Sequence, residues 1–301
     1  MNPEQLNAKH GIADTLRFIT GKGGLSLIEI DNGRARALIS PYAGQVLSFL
    51  PAGEPQDLLF VSRQAYFQSG KAIKGGIPVC WPWFGPDPES GGRPAHGFVR
   101  NRDWQVLDTA MQEDGTTSVR LGITPDEQIR ALWPHPFALT LDIIVGRSLE
   151  LALCSFNPDT VPLTITQGLH SYFLVGDIRR VQVRGLGGKH YIDKMDGGVV
   201  KIQQGLVTID GEVDRVYTGV NDDLVIEDPV FERRIRIAAE GSASAVVWNP
   251  WVATAAAMAD LGDEEYTAML CVETTNAGPD AVQIIPGENY RLVARYTIER
   301  G

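Results

Sequence analysis

Two ionisable side chains, His170 and Glu273, fall in runs that otherwise predict buried β-strands. His170 lies in GLHSYFLVG (168–176), where alternation places it on one side with Tyr172 and Leu174. Glu273 interrupts the apolar run AMLCVETT, and burial raises the pKa of such a carboxyl toward neutral pH. A carboxylate and an imidazolium together could perform general acid–base catalysis. The residues alone leave two alternatives open, a core histidine bonded to a backbone carbonyl and a glutamate paired with an arginine.

A second group of candidates lies in the segment 71–102, which is rich in Gly, Pro, Trp and basic side chains. Trp81 and Trp83 offer flat apolar faces that could stack on a sugar ring or simply pin the loop to the core. His96 precedes Arg100 by four residues. The basic excess suits one phosphate or carboxylate, or it is only a solvated face. Five basic residues (Lys71, Lys74, Arg93, Arg100, Arg102) outnumber two acidic ones (Asp87, Glu89) here.

The composition excludes several classes of function. A net charge of −10 disfavours a nucleic-acid partner, because phosphate backbones need clustered cations. No apolar run approaches the ~20 residues that cross a bilayer, and the N-terminus lacks a secretion-signal pattern, so we expect a cytoplasmic protein without membrane contact. The three cysteines are far apart and are predicted to be free thiols. CxxC, HExxH, GxGxxG, P-loop and GxSxG motifs are missing, so neither a metal site nor an organic cofactor is predicted.

The elements that must position these residues are predicted to be β-strands. Period-2 alternation dominates, for example in SLELALCSF and RLVARYTIE, and Asn32-Gly33 predicts a hairpin turn. The 32 glycines and 18 prolines supply frequent turns, a pattern typical of an antiparallel sandwich. Thr124–Glu127 resembles a capping box that opens one of few short helices, toward Trp133. We expect a partly ordered lead-in over 1–24 and a single domain over 25–301.

Seven sequence words occur in a fixed order and resemble those of the hexose-6-phosphate mutarotases, within the aldose 1-epimerase superfamily. The resemblance covers about residues 25–299, nearly the whole chain. It implies an all-β fold, the large antiparallel β-supersandwich of galactose mutarotase-like proteins. The words are AIKGGIPVCWPWFGP, PAHGFVR, LHSYFLVGDI, VDRVY, VVWNPW, CVETTN and IIPGENYRL.

The resemblance also implies roles for individual residues. His170, in the LH-x-YF word, would be the general acid, and Glu273, in the CVE word, the general base. Asp214, in the VDR-x-Y word, would bind sugar hydroxyls. Arg100, which closes the HG-x-x-R word, would contact a phosphate, and His96 would orient the sugar ring near its oxygen.

Two positions depart from the family's common pattern. Lys74 stands where the family commonly has an arginine before GGIP, so the positive charge is kept but the planar fork is lost. Ala95 replaces a polar residue before the HG word, which removes one contact to ligand. Lys74 and Trp81 remain expected substrate-binding residues.

The implied activity is mutarotation, the interconversion of the α and β anomers of a hexose 6-phosphate through the open-chain aldehyde, without a cofactor. The expected partner is therefore a small-molecule sugar phosphate, and the protein is expected to act as a monomer. Two alternatives stay open: a mutarotase for unphosphorylated aldoses, and a non-catalytic carbohydrate-binding or sensor protein that uses Trp81 and Trp83 as stacking platforms.

Overall fold

A computed structural model describes residues 2–300, and β-strands dominate it. Three short α-helices lie within these residues, α1 (Pro3–His10), α2 (Glu127–Leu132) and α3 (Trp251–Ala257). The strands are β1 (Leu16–Thr20), β2 (Ser26–Asp31), β3 (Ala35–Ser40), β4 (Gln45–Pro51), β5 (Val79–Cys80), β6 (Gln105–Met111), β7 (Thr117–Ile123), β8 (Ala138–Val145), β9 (Leu149–Phe156), β10 (Leu163–Ile165), β11 (Gln167–Leu169), β12 (Tyr172–Leu174), β13 (Gln182–Arg184), β14 (His190–Asp193), β15 (Val199–Ile202), β16 (Val207–Thr208), β17 (Val213–Thr218), β18 (Leu224–Asp228), β19 (Arg233–Glu240), β20 (Ser244–Asn249), β21 (Met269–Asn276), β22 (Val282–Ile284) and β23 (Asn289–Glu299).

Two large antiparallel sheets form the body of the fold, and this confirms the predicted fold class. One has eight strands in the order β15-β14-β17-β20-β21-β11-β5, with β12 also paired to β21. The other has nine strands in the order β16-β13-β18-β19-β23-β9-β8-β7-β6. A four-stranded sheet, β1-β2-β3-β4, and the two-stranded pair β10-β22 complete the architecture.

The two large sheets face each other across one hydrophobic core. Buried side chains from both sheets belong to a single cluster. Phe173 of β12 packs edge-on against Tyr296 of β23, with ring centroids 5.6 Å apart. Strand β21 is buried along its whole length, so its residues lie at the centre of the sandwich. Both faces of β21 are therefore shielded from water, and an ionisable side chain such as Glu273 is unusual in this position.

Several local expectations can be compared with the structure directly. The Asn32-Gly33 turn joins β2 to β3, and the Asn32 side chain accepts hydrogen bonds from the backbone N–H groups of residues 34 and 35. The helix predicted toward Trp133 is α2, but Asp126 rather than Thr124 caps it, by accepting from the Ile129 N–H at 2.7 Å. Among the described residues no helix is long and apolar enough to span a bilayer.

The N-terminal segment is more than a lead-in. Strand β1 pairs along its whole length with β2, and its Leu16 and Phe18 side chains are buried in the main core. Asn7 of α1 forms hydrogen bonds with both the N–H and the C=O of Phe18. The boundary expected at residue 24 therefore does not separate this segment from the sandwich, because β1 is the edge strand of the four-stranded sheet.

Candidate active site

Strand register gathers several candidate residues on one face of the eight-stranded sheet. Asp214 on β17 is opposite Trp248 on β20. Trp248 is opposite Cys271 on β21, which in turn is opposite Tyr172 on β12. Directly opposed residues share a face of the sheet, so these side chains form one row. Glu273, two residues beyond Cys271, points to the same face.

His170 lies at a break in the strand that the sequence predicts over 168–176. The chain leaves β11 at Leu169 and resumes as β12 at Tyr172. At the break, the N–H of His170 donates to the carbonyl of Pro78 at 2.9 Å, and the N–H of Ser171 donates back to Leu169 at 3.0 Å. The local turn thus presents the imidazole from a loop rather than from a regular strand.

The predicted acid–base pair is brought together by the fold. Nδ1 of His170 lies 3.5 Å from Oε1 of Glu273, although the residues are 103 positions apart. Both side chains are almost fully enclosed, with residue exposures of 7% and 2%. His170 Nδ1 and Glu273 Oε2 have no hydrogen-bond partner among the described residues. Burying two polar atoms without hydrogen-bond partners costs free energy. This arrangement is typical of a binding site, where a ligand supplies the missing partners.

The pKa of Glu273 is raised well above its ordinary value. Burial is the main cause, because it penalises the carboxylate, and the negative charge of Asp214 adds to it. Lys194 and Arg100 act in the opposite direction with smaller effect. The raised pKa agrees with the direction expected from the sequence.

The pKa of His170 is lowered well below its ordinary value. Burial again comes first, followed by His96 and by the positive charges of Arg100 and Lys74. The free protein therefore favours a neutral imidazole beside a protonated Glu273. The sequence instead predicted an imidazolium beside a carboxylate. Burial disfavours that charged pair, because the neutral His170 and the protonated Glu273 need no solvation by water.

Aromatic rings hold the His170 imidazole in place. The ring stacks on Tyr172 with centroids 4.7 Å apart and planes 9° apart. Trp248 meets it edge-on at 6.1 Å, and His96 approaches to 5.5 Å. Contacts on these sides restrict the imidazole to a small range of orientations, which a proton-transfer group requires.

His96 is a neutral, oriented ring. Burial and nearby cations lower its pKa to about 3. Its Nδ1 lies 3.4 Å from the backbone N–H of Gly85 and 3.5 Å from Sγ of Cys80. An N–H can only donate, so Nδ1 accepts and the ring proton is on Nε2. The Nε2–H is then available as a donor.

Two predicted cations lie around the pair. Nη2 of Arg100 donates to the carbonyl of Ala95 at 2.9 Å, and its buried Nε has no partner among residues 2–300. Nζ of Lys74 lies 3.5 Å from Oδ1 of Asp260 and 6.0 Å from the ring of Trp248. Trp248 thus contacts both Lys74 and His170.

Sequence reasoning missed a third cation, Lys194, and the anion Asp260. Lys194 forms an ion pair with Asp214, its Nζ being 3.1 Å from Oδ1, and lies over the Phe84 ring at 5.9 Å. Lys194 sits in KMDGG, a pattern typical of an exposed turn, and Asp260 sits in an acid-rich loop. Nothing in their local spacing connects either residue with His170.

The expected stacking role of Trp81 is corrected by its position. Its indole is fully buried, packs against Phe98 and Phe137, and donates from Nε1 to the Ser155 hydroxyl at 3.0 Å. Trp83 is also buried, at 4% exposure. A ring enclosed on all sides cannot stack on a ligand, so both tryptophans are core residues that fix this loop.

One further set of donor atoms lies inside the site. His170, Cys271 and Glu273 each offer an atom, all within 4.8 Å of one another. Burial, with the Glu273 charge adding to it, raises the pKa of the Cys271 thiol well above its ordinary value. A metal ion would have to remove protons from both Cys271 and Glu273. Metal binding at this set would therefore release protons and depend on pH.

Similar proteins share the fold and much of the sequence. The family described as "Aldose 1-epimerase" matches residues 26–297. An Escherichia coli (strain K12) protein named "Putative glucose-6-phosphate 1-epimerase" is 37% identical over 254 residues, 84% of each chain. A Cenchrus ciliaris protein of the same name is 37% identical over 259 residues, covering 83% of this chain and 77% of that one.

Solved structures agree with these sequence relatives. The crystal structure of a "putative mutarotase" from Salmonella typhimurium superimposes with a TM-score of 0.90 at 30% identity, over 99% of each chain. A galactose mutarotase-like protein from Clostridium acetobutylicum has a TM-score of 0.71 at 16% identity, over 95% of this chain and 98% of that one, and supports the fold alone.

Proposed function

The chain belongs to the aldose 1-epimerase family, and on that premise we propose that it interconverts the α and β anomers of a hexose 6-phosphate, glucose 6-phosphate first among them. The observation that carries the proposal is the 3.5 Å contact between His170 and Glu273, surrounded by the cations Lys74, Arg100 and Lys194. Relatives that are named as glucose-6-phosphate 1-epimerases support the phosphorylated substrate.

The reaction needs two proton transfers. A base takes the proton of the C1 hydroxyl while an acid protonates the ring oxygen, the C1–ring oxygen bond breaks and an aldehyde forms. Rotation about C1–C2 exposes the other face of the aldehyde, and closure reverses both transfers. Since His170 and Glu273 hold one proton between them, one can donate while the other accepts.

The two groups can divide these roles in two ways. His170 as acid and Glu273 as base, the roles implied by the resemblance, need the proton on the imidazole once sugar is bound. The opposite roles need it on Glu273, which the raised pKa of this carboxyl favours in the free protein. Both assignments give the same net reaction, because the return step swaps donor and acceptor.

The remaining site residues are assigned to binding. Lys74 and Arg100 hold the phosphate, and the unpartnered Nε of Arg100 is a free donor for it. Asp214 binds sugar hydroxyls, and its ion pair with Lys194 holds the carboxylate in place. The Nε2–H of His96 donates to an oxygen near the sugar ring. The protein is further proposed to work as a monomer in the cytoplasm.

The test is anomer exchange of glucose 6-phosphate, followed by NMR line shape or polarimetry. We expect Glu273→Gln and His170→Asn each to lower the exchange rate by roughly 10²-fold or more, since each removes a proton-transfer group. The exposed Glu288→Gln is the matched control and should exchange at the wild-type rate. Equal rates in wild type and Glu273→Gln would end the proposal.

The same assay separates the two alternatives. A mutarotase for unphosphorylated aldoses would exchange glucose as fast as its 6-phosphate and would ignore inorganic phosphate as an inhibitor. A binding protein would retain sugar tightly while exchange stays at the buffer rate. We expect instead a preference for the phosphorylated sugar and competition by inorganic phosphate.

A further inference from the structure

Lys74 already has an anionic partner in the free protein. Its Nζ lies 3.5 Å from Oδ1 of Asp260, and only 17% of the Lys74 and 23% of the Asp260 side chain is exposed. The sulfur of Met258 is 3.8 Å from the same ammonium. An ion pair enclosed to this degree is screened less by water and salt than a surface pair.

The fold fixes both partners of this pair. Asp260 lies in the turn after α3, next to Leu261, which is fully buried. Two residues on, the Gly262 N–H donates to the Glu265 carboxylate at 2.9 Å. The buried Leu261 side chain and the Gly262 hydrogen bond anchor the turn, so that Asp260 is held beside Lys74.

Glu265 also connects this turn with the loop that carries Lys74. Its carboxylate accepts from the Ser62 hydroxyl at 2.6 Å and from the Arg63 N–H at 3.0 Å. The Ser62 N–H in turn donates to the Lys74 carbonyl at 3.1 Å. The opposed charges are therefore held by two loops that are joined to each other, not by a chance meeting of long side chains.

We propose that Asp260 is a built-in competitor of the substrate phosphate for Lys74 and so limits the affinity for phosphorylated sugars. The inference rests on the proposed function for the identity of the substrate. A phosphate that reaches Lys74 either displaces the Asp260 carboxylate or binds beside a like charge, and both routes weaken binding. An unphosphorylated sugar meets neither cost.

Asp260→Asn tests the inference, since it removes the charge and keeps the shape. We expect the KM for glucose 6-phosphate and the Kd for inorganic phosphate, measured by calorimetry, to fall by roughly threefold or more, because a like charge beside a bound anion weakens its binding. Exchange of unphosphorylated glucose should change less than twofold. Asp263→Asn, an exposed acid in the same loop, is the matched control and should leave all three values unchanged.

The double variant Lys74→Met/Asp260→Asn supplies the second measurement. If Asp260 acts through Lys74, the double variant should bind phosphate with the same affinity as the single variant Lys74→Met. An unchanged or weaker phosphate affinity in Asp260→Asn, with a wild-type melting temperature, would overturn the inference. The phosphate titration does not depend on exchange, so failure of the proposed function and failure of this inference are read separately.

Discussion

The Glu273 carboxyl is buried, so its ionised form is unfavourable in the folded protein. The same burial therefore affects both the proton-transfer role of Glu273 and the stability of the fold. Burial and Asp214 disfavour the carboxylate, and only Lys194 and Arg100 oppose them. Active sites commonly keep such groups at a cost to the folded state. The sequence identified this residue because a charge interrupts an apolar run, but its contact with His170 depends on strand pairing that no local pattern records.

The first prediction concerns the pH dependence of stability. The folded-state pKa of Glu273 is raised, so from the ordinary value near 4.5 upward the folded protein retains a proton that the unfolded chain releases. Stability therefore falls as pH rises through this window. Glu273→Gln lacks the titration, so its melting temperature relative to wild type should be higher at pH 8 than at pH 4.5.

The exposed Glu288→Gln controls for the loss of one carboxyl. Its melting temperature should follow that of wild type from pH 4.5 to 8, since the Glu288 side chain is exposed. His170 is present in all three proteins and contributes mainly below its ordinary pKa of 6.5. A difference between Glu273→Gln and wild type that does not change with pH would contradict the raised pKa.

At the scale of elements, alternation predicted the strands well and missed the irregular places between them. The strand assumed over 168–176 breaks at His170 because its neighbours bond to a distant segment: the Tyr172 N–H donates to Gly76 and the His170 N–H to Pro78. The helices α1 and α3 were also missed, since both are short and neither carries a strong apolar period. The conformation of the loops that carry the site is determined by tertiary contacts, and the periodicity of the sequence does not show these contacts.

Gly97 gives a prediction at this scale. It has φ +73°, and a Cβ there would lie 1.8 Å from the carbonyl oxygen of Trp81. This close approach brings the loop with His96 against the core loop with Trp81. Gly97→Ala should therefore lower the free energy of unfolding by roughly 3–5 kcal/mol, because backbone must shift.

Gly188→Ala separates the cost of the steric clash from the cost of the left-handed backbone conformation. Gly188 has a similar φ of +79°, but no atom lies within 4 Å of the place that an alanine methyl group would take. Its replacement should cost about 1–2 kcal/mol, the strain of a left-handed alanine alone. Denaturant unfolding measures both variants, and equal losses would show that the Trp81 contact has no energetic weight.

At the scale of the whole molecule, the antiparallel sandwich was predictable and the extent of its core was not. Polar residues in the first 24 positions predict a lead-in, yet β1 is the edge strand of the four-stranded sheet and buries Leu16 and Phe18. Strand β1 has only five residues, LRFIT, and a run this short gives no clear apolar period. The pairing of β1 with β2 and the burial of Leu16 and Phe18 are tertiary contacts that the local sequence does not show.

Removal of residues 2–24 tests this role. The truncated chain loses the burial of Leu16 and Phe18, worth about 1.5–3 kcal/mol each, and exposes the edge of β2. We expect a lower denaturant midpoint and a greater tendency to associate in size-exclusion chromatography. Phe18→Ala in the full chain should lose about 3–5 kcal/mol, while the exposed Arg17→Ala should lose little. An unchanged midpoint on truncation would restore the boundary at residue 24.

The hydroxyl of Tyr296 and that of Ser171 are 2.6 Å apart in the buried interior. Ser171 follows His170 directly, whereas Tyr296 belongs to β23 in the opposite sheet. The residue next to the imidazole is thus joined by a hydrogen bond to the opposite sheet. We therefore expect substitutions along β23 to change the rate of anomer exchange, although no residue of β23 is assigned to sugar binding.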